Sequence, residues 1–110
     1  MIFTKSFLNV KNKVLAIDID GTLCTEEKTF ERSLAKPIEN AKEALAILAK
    51  NGNTIILWTG RGWEQYKVTK NWLDNHGFIY DQLLMGKPIV DYIVDDRARH
   101  FRGNWSNVEI

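Results

Sequence analysis

Val14, Leu15, Ala16 and Ile17 form an unbroken apolar run that stops at Asp18. Such a run predicts a strand over 14–18, buried on both faces as in a parallel sheet. The same pattern recurs in Thr54–Trp58, "TIILW", and in 90–96, "VDYIVDD", with a shorter apolar piece over 80–85. Between the strands the spacing changes. Pro37 suits a helix start, Ile38, Ala41, Leu45 and Leu48 fall on one helical face, and Asn51-Gly52 is a stop signal. A second amphipathic helix is predicted over 63–76, with Tyr66, Val68, Trp72 and Leu73 inward and Gly77 ending it. Residues 21–36 are mostly polar and read as a loop or small exposed hairpin. Residues 2–8 suit either a short edge strand or an ordered tail.

Strands alternating with helices predict an α/β fold: a Rossmann-like three-layer sandwich around a mainly parallel sheet, with right-handed crossovers. The chain has 110 residues and no repeat, low-complexity tract or linker, so residues 1–110 are expected to form one domain.

Composition narrows the classes. Apolar residues are 45% of the chain, enough for a core, and the net charge is +1. That balance gives no reason to expect nucleic acid or an anionic membrane as the main partner. Cys24 is the only cysteine, no apolar stretch reaches signal-peptide or membrane-spanning length, and a cytoplasmic location is expected. Cys24, His76 and His100 lack metal-ligand spacing and read as structural.

The polar residues that break the pattern sit at strand ends. The first strand ends in Asp18 and Asp20, the second in Thr59, Gly60 and Arg61, and the last in Asp95 and Asp96; Lys87 stands on a Gly–Pro turn between the last two. In α/β sheets ligands bind at the carboxyl ends of strands. Four separate segments can therefore deliver their groups to one edge. Several carboxylates suit a hard cation such as Mg2+. A hydroxyl, backbone amides and an ammonium suit phosphate oxygens. Together with a nucleophilic carboxylate they describe phosphoryl transfer through an aspartyl-phosphate.

"DIDGTL" resembles the D-x-D-G-T signature of the haloacid dehalogenase superfamily of phosphohydrolases. Thr59 in "LWTGR" is similar to its second motif, Lys87 in "MGKP" to its third, and Asp95-Asp96 in "YIVDD" to its fourth, in the same order. The resemblance covers residues 14–99. The segments "AKP", "TGRG", "GKP" and "DYIVDDRA" look most like the small phosphatases of capsule and surface polysaccharide biosynthesis.

The resemblance implies that Asp18 is the nucleophile and Asp20 the general acid and base, its backbone carbonyl binding Mg2+. It implies that Thr59, Gly60 and Lys87 hold the phosphoryl oxygens, and that Asp95 and Asp96 complete the metal site, Asp96 being favoured as the direct ligand. Arg61, Trp63 and Arg97 are candidates for substrate contact. For the arginines a solvated surface role, and for Trp63 a place in the core, are the commoner fates.

Neither usual cap insertion point has room: 23–36 is enough for a flap, and 62–86 is filled by the second helix and a strand. An open site is expected, with a large substrate or a homo-oligomer supplying the missing wall. The leading expectation is a Mg2+-dependent phosphomonoester hydrolase acting on a phosphorylated small molecule, a sugar phosphate first. A phosphotransferase or nucleic-acid 3′-phosphatase of the same superfamily is the second enzyme reading. A receiver-like phospho-acceptor domain is the non-enzyme alternative, but its motif order differs, with Lys after an isolated acceptor Asp.

Overall fold

A computed structural model describes residues 6–109. Its sheet has three parallel strands in the order β1 (Val14–Ile17), β2 (Thr54–Trp58) and β3 (Gln82–Leu84). Two helices, α1 (Ala41–Lys50) and α2 (Tyr66–Asn75), form the crossovers. The α/β class, the parallel sheet and the lack of a cap agree with the sequence reading.

Register explains the core. Leu15 pairs with Ile55, Ile17 with Leu57, and Leu57 with Leu83, so these five side chains share one face, and all five are buried. Ala41, Ala44, Leu45 and Leu48 of α1 and Trp72 and Leu73 of α2 join them in one cluster. Each fully buried Leu or Ile contributes about 1.5–3 kcal/mol. A sheet that grows in one direction through right-handed crossovers carries both helices on the same side.

The opposite face corrects the expectation that these strands are buried on both sides. Val14 is 70% exposed, Leu84 41% and Trp58 38%, and Ala16 is exposed too. A larger correction concerns 90–96, predicted as a strand. Among the described residues these pair with no strand; Val90 and Ile93 line the cleft at the sheet's carboxyl edge, while Tyr92 is 90% and Val94 101% exposed. The chain returns to the body at Phe101, whose ring lies 5.2 Å from Trp105. Trp105 and Val108 are buried, and Phe7 N–H donates to the Val108 carbonyl at 2.8 Å.

Smaller differences have local causes. Pro37 lies four residues before α1 because it is bridged to Cys24, while Ile38 N–H donates to Leu23 O, tying this stretch to the loop after β1. The inward position on α2 is Thr69 rather than Val68. The edge strand considered for 2–8 lies partly outside the described residues; within them Phe7–Asn9 is a 3-10 turn.

Candidate active site

Three of the four predicted segments meet at the carboxyl edge of the sheet. Asp18 follows β1 directly, Thr59, Gly60 and Arg61 follow β2, and Met85, Gly86 and Lys87 follow β3. Ile19 is fully buried, which leaves Asp18 and Asp20 on the other side of the extended chain. The chain then turns through Gly21 at φ +81°, a left-handed conformation that favours glycine. Thr22 and Leu23 N–H both donate to the Ile19 carbonyl, and Gly21 N–H to that of Cys24, which closes the turn.

The β2 and β3 loops are stitched together by Lys87 N–H to Thr59 O and Gly86 N–H to Arg61 O, each 2.8 Å. A Cβ at Gly60 would stand 3.1 Å from Ile89 Cγ1 and 3.5 Å from the Lys87 carbonyl oxygen. Glycine there permits the close approach.

The two aspartates differ. Asp18 Oδ2 accepts from Thr22 Oγ1 at 3.2 Å, and its Oδ1 lies 3.5 Å from Lys87 Nζ. Lys87 Nζ also stands 5.3 Å from the centre of the Trp58 ring. Asp20 is held in a fork: Arg61 Nε donates to Oδ2 at 2.9 Å and Nη2 to Oδ1 at 2.7 Å. Thr59 Oγ1 donates to Asp20 Oδ2 at 3.4 Å and accepts from Arg61 N–H at 3.2 Å. Cys24 lies below the fork. Its thiol is pushed up to about 12, first by burial and then by the neighbouring Asp20 charge, so it stays protonated and takes a structural role.

Arg61 corrects the expectation of a surface residue. It is only 3% exposed, and Nη1 donates to Thr69 Oγ1 at 2.9 Å. Trp63 corrects the expectation of core packing: it is 61% exposed and stacked 5.9 Å from Tyr66. Thr59 is fully buried, its hydroxyl spent on Asp20 and Arg61 N–H. Arg97 is exposed, and its N–H donates to Asp95 Oδ1.

A cleft of about 360 Å³ opens over Asp18, Asp20, Gly60, Arg61 and Lys87. Arg32, Glu26 and Glu27 also line it, from the polar stretch read only as a loop. Arg32 Nε is buried without a hydrogen-bond partner. Nothing in the local pattern distinguishes these three from other charged loop residues. A larger hollow of about 570 Å³ between α2 and β3 holds the exposed Lys70–Asp74–Tyr80 network and none of the strand-end residues.

The cleft does not contain Asp95 or Asp96. No cluster of three or more His, Cys, Asp or Glu side chains able to hold a metal exists among the described residues. Asp18 is the more loosely held strand-end carboxylate, with Thr22 at 3.2 Å and Lys87 at 3.5 Å, whereas Asp20 is gripped by the Arg61 fork. Of the acidic residues expected to hold Mg2+, Asp18 and Asp20 stand in the cleft and Asp95 and Asp96 stand outside it.

Comparisons with known proteins agree with the geometry. No curated protein matches. Among solved structures, a structural-genomics target from Vibrio cholerae is 29% identical, with a TM-score of 0.68 over 78% of this chain and 81% of that one. A chain of the Pnkp1/Rnl/Hen1 complex is 24% identical with a TM-score of 0.61; the match covers 80% of this chain but 32% of that one, and shows the fold alone. The model of the haloacid dehalogenase-like hydrolase family matches residues 15–80, the stretch that runs from β1 through the Asp20–Arg61 fork to the approach of β3, and by that match the chain belongs to this family.

Proposed function

We propose that the chain is a phosphomonoester hydrolase that uses Asp18 as nucleophile and Mg2+ as cofactor. The observation that carries the reading is the setting of Asp18: a carboxylate at the mouth of a cleft, oriented by Thr22 and 3.5 Å from Lys87. Lysine offsets the charge that otherwise keeps an anionic nucleophile from an anionic phosphate. An Asp18 oxygen attacks phosphorus and the bond to the leaving oxygen breaks. That oxygen takes a proton from Asp20. Water then gives a proton to Asp20 and attacks phosphorus, releasing inorganic phosphate and restoring Asp18. For this work the Asp20 carboxyl must turn out of the Arg61 fork toward the cleft, with Thr59 and Lys87 left to hold the phosphoryl oxygens.

The substrate class that fits is a phosphorylated small molecule. A sugar phosphate of surface polysaccharide biosynthesis is the first candidate, on motif resemblance, and the reading places the protein in the cytoplasm. No helix among the described residues is long and apolar enough to cross a membrane. Phosphate release should be measured over sugar phosphates, nucleotides and nucleic-acid 3′-phosphates, with covalent phosphate on Asp18 sought by mass spectrometry after acid quench. Release from a small phosphate ester with Asp18 labelled supports the reading. A long-lived label with no release would favour the receiver-like alternative, and preference for nucleic-acid ends the 3′-phosphatase.

A further inference from the structure

Residues 25–36 form a small flap whose two ends are joined at its base. Cys24 bridges Pro37 in antiparallel fashion, Ile38 N–H donates to Leu23 O at 2.9 Å, and Thr25 N–H donates to Lys36 O at 2.9 Å. The Trp72 indole N–H donates to the carbonyl of the buried Ala35 at 2.8 Å, which ties the flap to α2. Arg32 lies in the flap's 3-10 turn, Thr29–Leu34, and Ala35 N–H donates to its carbonyl at 3.2 Å. The backbone of Arg32 is thus held in place, and its side chain lines the cleft that opens over Asp18.

The cleft carries three cations, Arg32, Arg61 and Lys87. Lys87 stands 3.5 Å from Asp18, and Arg61 forks Asp20. Arg32 has no such partner among the described residues, and its Nε is buried without an acceptor. Glu26 and Glu27 share the cleft but do not accept from that nitrogen. Glu26 Oε1 leans instead toward Gly21, 3.2 Å from where a Cβ there would stand. A buried N–H without an acceptor destabilises the free protein, and a ligand that supplies the acceptor recovers the loss.

We propose that Arg32 recognises a second anionic group on the substrate, a carboxylate or a further phosphate, while the phosphate to be released sits beside Asp18 and Lys87. The planar guanidinium matches paired oxygens of either group. The cleft, about 360 Å³, is of the size that takes one small molecule (~300–1,000 Å³), so both anions belong to a single compact substrate. Pro88 and Ile89 add an apolar wall to the same cleft, which suits the carbon skeleton between them. This role of Arg32 rests on the hydrolase reading, and it narrows the substrate class to phosphomonoesters with a second negative group.

Steady-state rates of the full chain with Mg2+ on matched esters test it. 6-Phosphogluconate against glucose 6-phosphate reports a carboxylate, and fructose 1,6-bisphosphate against fructose 6-phosphate reports a second phosphate. In one pair the doubly anionic member should be preferred by about 10–100-fold in kcat/KM, the effect of one charge-assisted hydrogen-bonded contact. Arg32→Gln should bring that ratio close to unity, acting through KM rather than kcat, and Arg32→Lys should restore part of it. A merely structural role would lower both members of a pair together and leave the ratio alone. No preference in either pair, or a ratio unmoved by Arg32→Gln, overturns the proposal. If none of the four esters is hydrolysed, the hydrolase reading fails for them, and titration calorimetry with the same compounds decides Arg32 separately. Tighter binding of a doubly anionic member that is lost in Arg32→Gln supports the contact, and equal affinities overturn it.

Discussion

Arg61 grips Asp20 with two parallel hydrogen bonds, of 2.9 and 2.7 Å, from inside the protein. The pair links the ends of β1 and β2, and Nη1 extends the link to Thr69 on α2. Arg61→Met removes the fork and leaves a carboxylate with little water around it. Breaking such a pair from one side costs up to 3–5 kcal/mol when fully buried. Asp20 keeps some exposure, so a loss of about 2–3 kcal/mol is expected in urea unfolding.

Asp18→Asn should lower steady-state phosphate release by about 10³-fold or more, as expected when a nucleophile is lost. The amide can still accept from Thr22, so the melting transition should hold within about 1 kcal/mol of wild type. Parallel rate and denaturation curves check both halves.

Lys87→Met keeps much of the aliphatic stem but removes the ammonium beside Asp18. Loss of a donor to developing phosphoryl charge predicts a fall in kcat on the order of 10²-fold. Trp58 loses its cationic neighbour in the same variant, so its fluorescence provides a second readout of the substitution.

Chelation by EDTA should abolish turnover, and Mg2+ should restore it. Ca2+, which tolerates more ligands at longer distances, should restore it poorly. Full activity in EDTA would remove the metal from the reading.

Cys24 yields a pH prediction with a definite sign. Its proton is held to about pH 12 in the folded protein, whereas in the unfolded chain the thiol ionises near its ordinary value of 9.0. The unfolded state therefore sheds this proton first as pH rises. Its contribution to stability is whole below about pH 9 and is lost progressively toward 12. Cys24→Ala should show a flatter fall in denaturation midpoint over that window. Iodoacetamide should label wild type at pH 8 only in denaturant.

The local pattern was most informative where burial and chemistry coincide along a short stretch. Val14 to Asp20 shows both a strand and its acidic end, and Thr54 to Gly60 shows a strand and its Thr-Gly end. Pattern failed where a polar residue is buried by a partner distant in sequence. Thr69 looks like an outward position on α2 until Arg61 is seen to need an acceptor there. Arg61 itself looks solvated because no neighbour in sequence announces Asp20. The third failure is 90–96. Its apolar run and acidic end have the composition of a strand, but a strand needs a neighbour, and periodicity does not supply one. Exposure on the far sheet face was hidden for the same reason.

The indole N–H of Trp105 donates to the Thr22 carbonyl at 2.9 Å, across 83 residues of sequence. Thr22 belongs to the turn that aims both aspartates, so the earliest part of the site is braced by one of the latest. On the ribosome, at ~5–20 residues per second, that turn waits roughly 4–17 s for its brace. The strands and helices can form while the chain is still growing, but the turn after β1 matures only after Trp105 has emerged. A nascent chain stalled before that point should be folded in outline and silent as a catalyst.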